Sequence, residues 1–221
     1  MKTQKFKAAI FDLDGTLACT MPDLYACLNS MLETVRFPTH TKKEVLNYIS
    51  CGERDYVRFA LPIEYRDNEK VLDDCLRIYS GIYSEHYCDS TYLYDGITET
   101  LAKLRENEIW MAVHTNKAHA HACGMLEKLG VSGYFDEILG DGKYPSKPDP
   151  TGSLLLAKKA GFPPSEFCFI GDSDVDMHTA VNAGMFALGV TWGYRPKEML
   201  IEAGANRLVD TPSEIADFII G

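Results

Sequence analysis

The sequence predicts an α/β protein, a doubly wound parallel sheet with a small all-helical unit inserted after its first strand. Three observations carry this reading. Short apolar runs recur along the chain and each stops at a polar turn. Amphipathic stretches of helical period separate the later runs. The segment from about Ala18 to Ser90 breaks that rhythm.

Phe6 to Leu13 (FKAAIFDL) is apolar and ends at an Asp-Gly-Thr turn, the pattern of a parallel strand buried on both faces. The segment that follows is helical in pattern, rich in Tyr and Cys, and without a convincing buried strand, so residues 18–90 are expected to form a helical cap and residues 1–17 with 91–221 the catalytic core. A helix is expected over Gly96 to Asn107, then a second strand over Ile109 to His114 that stops at Thr115-Asn116. Helices over Ala118 to Leu129 and Pro150 to Ala160 follow, the latter closed by Gly161. Phe167 to Ile170 repeats the strand design and ends at Gly171-Asp172; Met177 to Ala183 reads as a helix closed by Gly184, and Phe186 to Val190 as a fourth strand. In such Rossmann-like sheets ligands bind at the carboxyl ends of the strands, where three of these runs deliver polar residues. An insert springing from that edge would sit over the site as a lid.

Composition excludes several classes. A net charge of −10 without a Lys/Arg cluster argues against a nucleic-acid partner, and no stretch is apolar enough to span a bilayer. The apolar run after Met1 to Lys7 is broken by Asp12 and Asp14, so it does not read as a signal peptide, and a cytoplasmic location is expected. Seven cysteines, an odd set with no CxxC spacing, read as reduced thiols and not as a disulfide framework or zinc site. Nothing in the sequence sets the oligomeric state.

Four elements carry chemistry. Asp12-Leu13-Asp14-Gly15-Thr16 places two carboxylates one residue apart just past a buried strand, where Gly15 permits the turn that lets both face one cavity; one could attack phosphorus and the other handle a proton. A solvated turn or a metal loop uses the same residues. Thr115-Asn116-Lys117 offers a hydroxyl, an amide and backbone N–H groups at an expected helix start, a cradle for an anion or an ordinary N-cap. Lys147, ahead of the proline-led helix in Ser146-Lys147-Pro148-Asp149-Pro150, could neutralise a carboxylate nucleophile and a transferring phosphoryl group, or be solvated. Gly171-Asp172-Ser173-Asp174-Val175-Asp176 packs three aspartates after a strand, a natural partner for Mg2+; the later Gly and Glu of an EF-hand are missing.

In that order, with Ala180 and Ala183-Gly184 following, the elements resemble the four-motif set of the haloacid dehalogenase superfamily, and the insert lies where that superfamily places a C1-type helical cap. The resemblance implies Asp12 as nucleophile, Asp14 as general acid/base, and Thr115, Asn116 and Lys147 as the phosphoryl-holding residues. It implies Mg2+ held by Asp12, the Asp14 backbone carbonyl and Asp172, with Asp176 supporting the metal from behind. The substrate would be a small phosphorylated metabolite.

Asp14 argues against dehalogenation, since dehalogenases of the superfamily lack that aspartate. Thr16 stands where β-phosphoglucomutases usually carry Val, which favours hydrolysis over the mutase alternative. Phosphonoacetaldehyde hydrolases use a cap lysine, and the first half of this insert offers only the adjacent Lys42 and Lys43. Phe11 to Leu17, Thr115 to Lys117 and Thr191-Trp192-Gly193-Tyr194 are similar to phosphoglycolate phosphatases and their pyrophosphatase relatives; Ala18-Cys19-Thr20 departs from the Asp-Ser pair many of these carry. In the insert, the turn Ser50-Cys51-Gly52-Glu53-Arg54 is the feature expected to face the leaving group, with Gly52 making the turn and Arg54 pairing with a substrate carboxylate or second phosphate. A phosphate-binding regulatory protein without turnover is the non-enzyme alternative.

Overall fold

The computed structural model describes residues 5–49 and 52–221, and the chain divides into two compact units, Met1–Cys19 with Leu93–Gly221, and Thr20–Tyr92. In chain order the elements are β1 (Ala8–Phe11), β2 (Ala18–Cys19), α1 (Met21–Thr34), α2 (Lys42–Leu46), α3 (Glu53–Ala60), α4 (Glu69–His86), β3 (Tyr92–Leu93), α5 (Ile97–Glu106), β4 (Trp110–Ala118) and α6 (His119–Lys128). They continue with β5 (Glu137–Asp141), α7 (Thr151–Ala160), β6 (Phe167–Gly171), α8 (Asp174–Ala183), β7 (Phe186–Val190), α9 (Lys197–Glu202), β8 (Arg207–Val209) and α10 (Pro212–Ile220).

The larger unit is built on one six-stranded sheet, ordered β5-β4-β1-β6-β7-β8, with every pairing parallel. Its centre is β1, with Ile10 level with Ala112 on one side and Phe169 on the other. All four residues of β1 and all five of β6 are buried, because helices cover both faces of the sheet and no alternation of polar residues is needed. On one face Ala8, Ile10, Phe167 and Phe169 pack with Met177, Ala180 and Leu200 of α8 and α9. Along the chain the sheet grows from β1 outward to β5, then restarts at β6 on the other side of β1. The order therefore reverses between β1 and β6, and a crevice at their carboxyl ends is the expected binding place.

Several expectations change. The sheet holds six strands, not four: β5 and β8 are its edges. β1 stops at Phe11, two residues short of Leu13. β4 runs on to Ala118, pairing again with β5 at Asp141 after a register shift between His114 and Ala118. Thr115, Asn116 and Lys117 consequently lie on the irregular end of a strand, and α6 begins only at His119.

The smaller unit packs α1 and α3 against α4 around Leu28, Met31, Leu32, Leu72 and Tyr79. The first turn of α1 supplies the buried Asp23, whose carboxylate accepts from the backbone N–H groups of Ser90 (2.9 and 3.0 Å) and Thr91 (2.8 Å) and from the Thr91 hydroxyl (2.7 Å). Gly52, at φ +84°, precedes α3; Ser50 and Cys51 lie outside the described residues.

Candidate active site

Asp12 leaves β1 still on the ladder, its N–H donating to the carbonyl of Ile170 in β6 at 2.9 Å. The chain then turns at Gly15, whose φ is +86° and where a Cβ would lie 2.3 Å from Oδ2 of Asp172. Only glycine fits there. Beyond the turn, Thr16 donates its hydroxyl to Asp172 Oδ1 at 3.0 Å, while the Tyr194 N–H donates to Asp172 Oδ2 at 2.7 Å. The loop that brings Tyr194 passes so close that a Cβ on Gly193 would sit 2.2 Å from that of Asp172, and the Trp192 indole N–H ties it to the Thr16 carbonyl at 3.1 Å. Asp172, fully buried, is thus fixed on both oxygens.

Asp176 is fixed by the start of α8. Ser173 is the N-cap, accepting from the Asp176 N–H at 3.2 Å, and Oδ2 of Asp176 accepts in return from the N–H and hydroxyl of Ser173. Its other oxygen receives Lys147 Nζ at 2.6 Å, and the same ammonium stands 2.8 Å from Oδ1 of Asp12. The lysine is placed through its backbone: Asn116 donates Nδ2–H to the Lys147 carbonyl at 3.0 Å and accepts the Lys147 N–H on Oδ1 at 2.8 Å.

Carboxylate oxygens of Asp12, Asp172 and Asp176 lie within 4.8 Å of one another. Three buried carboxylates face one buried ammonium, and the imbalance shows in their proton affinities. Burial, then repulsion from Asp176, outweighs Lys147 and raises the Asp12 carboxyl to about 7. Burial and the charges of Asp176 and Asp12 likewise hold Asp172 well above the usual carboxylate range. Burial opposes the Lys147 charge, but Asp12 and Asp176 more than offset it and keep the ammonium protonated. An all-oxygen set short of positive charge, with glycines clearing space around one member, fits a hard divalent cation.

A family model of the haloacid dehalogenase-like hydrolases matches residues 9–190. The chain belongs to that family. A phosphoglycolate phosphatase of Haemophilus influenzae (strain 86-028NP) is 34% identical over 95% of this chain and 96% of its own length. One from Mannheimia succiniciproducens is 35% identical over 86% and 88%. Among solved structures, a predicted phosphoglycolate phosphatase from Haemophilus somnus 129PT superimposes with a TM-score of 0.88 at 30% identity, over 97% of this chain and 98% of that one. Within the haloacid dehalogenase-like family the chain is a phosphoric monoester hydrolase.

The fold brings Asp12, Asp172, Asp176 and Lys147 into one cluster; Asn116 of β4 hydrogen-bonds the Lys147 main chain, and Thr115 is buried next to it on the same strand. Asn116, expected to hold a phosphoryl oxygen, clamps the main chain of Lys147 and so positions the lysine. The Asp14 side chain points to a residue outside the expected set: Lys117 Nζ lies 2.8 and 3.1 Å from its two oxygens, and both side chains are largely buried. These residues are 103 positions apart, so no local pattern announces the pair. His114 was also missed. It is buried beside the Ser153 hydroxyl at 2.9 Å, and burial, reinforced by the Lys147 charge, lowers it to about 3, so it packs as a neutral ring. In the smaller unit, Arg54 is engaged by Glu69 and, at 2.8 Å, by Asp73, all on an exposed surface.

Among the described residues no helix is long and apolar enough to cross a membrane.

Proposed function

We propose that the chain hydrolyses a small phosphate monoester, resembling phosphoglycolate, through a covalent phosphoryl-enzyme formed on Asp12 with Mg2+ as cofactor. The observation that carries this reading is the placement of Asp12: a carboxylate at the end of the central strand, 2.8 Å from the Lys147 ammonium and within 4.8 Å of two further carboxylates. In the first step Asp12 attacks phosphorus, the bond to the ester oxygen breaks, and Asp14, entering that step as the neutral acid and not as the carboxylate partner of Lys117, gives that oxygen its proton. In the second, Asp14 takes a proton from water as its oxygen attacks phosphorus, the bond to Asp12 breaks, and phosphate leaves. Lys147 sits where it offsets charge on both nucleophile and phosphoryl group, and Thr115 and the strand end around it would receive the remaining phosphoryl oxygens. Asp12, Asp172 and the Asp14 carbonyl would hold Mg2+, with Asp176 steadying the cluster; the ion supplies the charge that stabilises the transferring group. The helical unit, residues 18–90, serves in this reading as the cap that excludes bulk water and selects the leaving group.

The test is release of phosphate from p-nitrophenyl phosphate and from a panel including 2-phosphoglycolate, a sugar phosphate and pyrophosphate. Hydrolysis that depends on Mg2+, stops with chelator and returns when Mg2+ is restored is expected. Metal-independent release, or isomerised sugar phosphate in place of free phosphate, would overturn the reading.

A further inference from the structure

We propose that Lys117 recognises an anionic group on the departing alcohol, a carboxylate one carbon from the ester oxygen. The proposal rests on the reading of Asp14 as the group that protonates that oxygen. Among the described residues two lysines are buried, Lys117 and Lys147, and both reach this sheet edge. They divide the site between them. Lys147 bridges Asp176 and Asp12, the residue read as the nucleophile. Lys117 lies against Asp14, the residue read as protonating the departing alcohol.

A buried ion pair is a poor stabiliser, because removing both charges from water offsets most of their attraction. Its placement is better explained by the substrate. A leaving group within hydrogen-bond reach of Asp14 brings a carboxylate on the neighbouring carbon close to Nζ, which is 2.8 Å from Asp14. A neutral hydroxyl in that place offers an acceptor but no charge. Arg54, the cation expected from sequence to do this, is engaged with Glu69 and Asp73.

Two esters of one skeleton separate the possibilities: 2-phosphoglycolate and 2-hydroxyethyl phosphate, assayed with Mg2+ on the same preparation of full-length protein. The ratio of their kcat/KM values does not depend on how much of the protein is folded. Lys117→Met is expected to lower that ratio roughly 10- to 100-fold, the value of a hydrogen bond between charged groups, and Lys117→Arg to recover part of it. If the ratio is unchanged, whether both esters lose the same factor or neither loses any, Lys117 does not read the carboxylate and the proposal falls. A larger loss on pyrophosphate than on 2-phosphoglycolate would assign the lysine to a second phosphate and overturn the carboxylate. If the parent protein hydrolyses p-nitrophenyl phosphate but not 2-phosphoglycolate, the carboxylate proposal falls and the phosphatase reading stands; if it hydrolyses no ester of the panel, it is the phosphatase reading that fails.

Discussion

Gly15 and Asp172 are a matched pair: the carboxylate occupies the space that any side chain at residue 15 would fill. Gly15→Ala is therefore expected to displace Asp172 or the Asp12–Asp14 turn. A Cβ at φ +86° adds backbone strain of about 1–3 kcal/mol. Magnesium titration of activity should show a weakened metal requirement curve together with a kcat loss of roughly 100-fold. Parental Mg2+ dependence in the variant would contradict the arrangement. A second residue-scale consequence concerns pH. The Asp12 carboxyl sits near 7 in the folded chain against 3.8 unfolded, so between those values the folded state binds the extra proton. Its contribution to stability is present at low pH and lost as pH rises from about 4 to 7. Asp12→Asn, neutral throughout, should gain on the metal-free parent across that window by a few kcal/mol. Denaturant melts of both proteins without metal check this, and a difference that stays flat with pH would contradict it.

At the scale of elements, the start of α8 does two things at once. Ser173 caps the helix and holds the Asp176 oxygen that Lys147 does not. Ser173→Ala should cost about 1 kcal/mol of stability, as N-cap losses do, and lower kcat as well, whereas a cap with no catalytic consequence would leave kcat unchanged. Asp23 plays a structural part in the smaller unit, satisfying two backbone N–H groups from the far end of the same segment. Asp23→Ala strands both, at about 2–4 kcal/mol, with Asp23→Asn milder; urea unfolding followed by helical signal measures the difference. Sequence pattern made β1 and β6 readable, because strands covered on both faces are continuous apolar runs. It did not show β5 or β8. Glu137–Asp141 is half-buried along most of its length and Arg207–Val209 has only three residues, so edge strands carry neither the length nor the apolar run that marks the central ones. Helix α8 was expected to begin at Met177; the polar Asp174 to Asp176 turn belongs to it, because the first turn of a helix favours acidic residues.

For the whole molecule, the reversal of strand order between β1 and β6 explains why motifs spread over most of the chain converge. Asp12 and Asp172 follow the two strands that flank the reversal, and β4 on the other side of β1 adds Thr115 to Lys117. The resemblance of the motif order to the haloacid dehalogenase set nominated Asp12, Asp172, Asp176 and Lys147 as partners, and the fold brings them into one cluster. The Lys117–Asp14 pair and the Asn116 clamp on Lys147 were not accessible in that way, because they depend on how β4 bends at its register shift. The boundary between the two units falls at Cys19–Thr20 and Tyr92–Leu93, beside the short strands β2 and β3.

The most direct measurement is the site of covalent attachment. Protein mixed with substrate and Mg2+, quenched in acid and reduced with borohydride, converts an aspartyl phosphate to homoserine, which peptide mass spectrometry locates. Homoserine at residue 12, absent from Asp12→Asn and from protein given no substrate, is the expected result. Turnover with reduction at another residue, or with none under conditions that trap aspartyl phosphates, would contradict a nucleophilic Asp12.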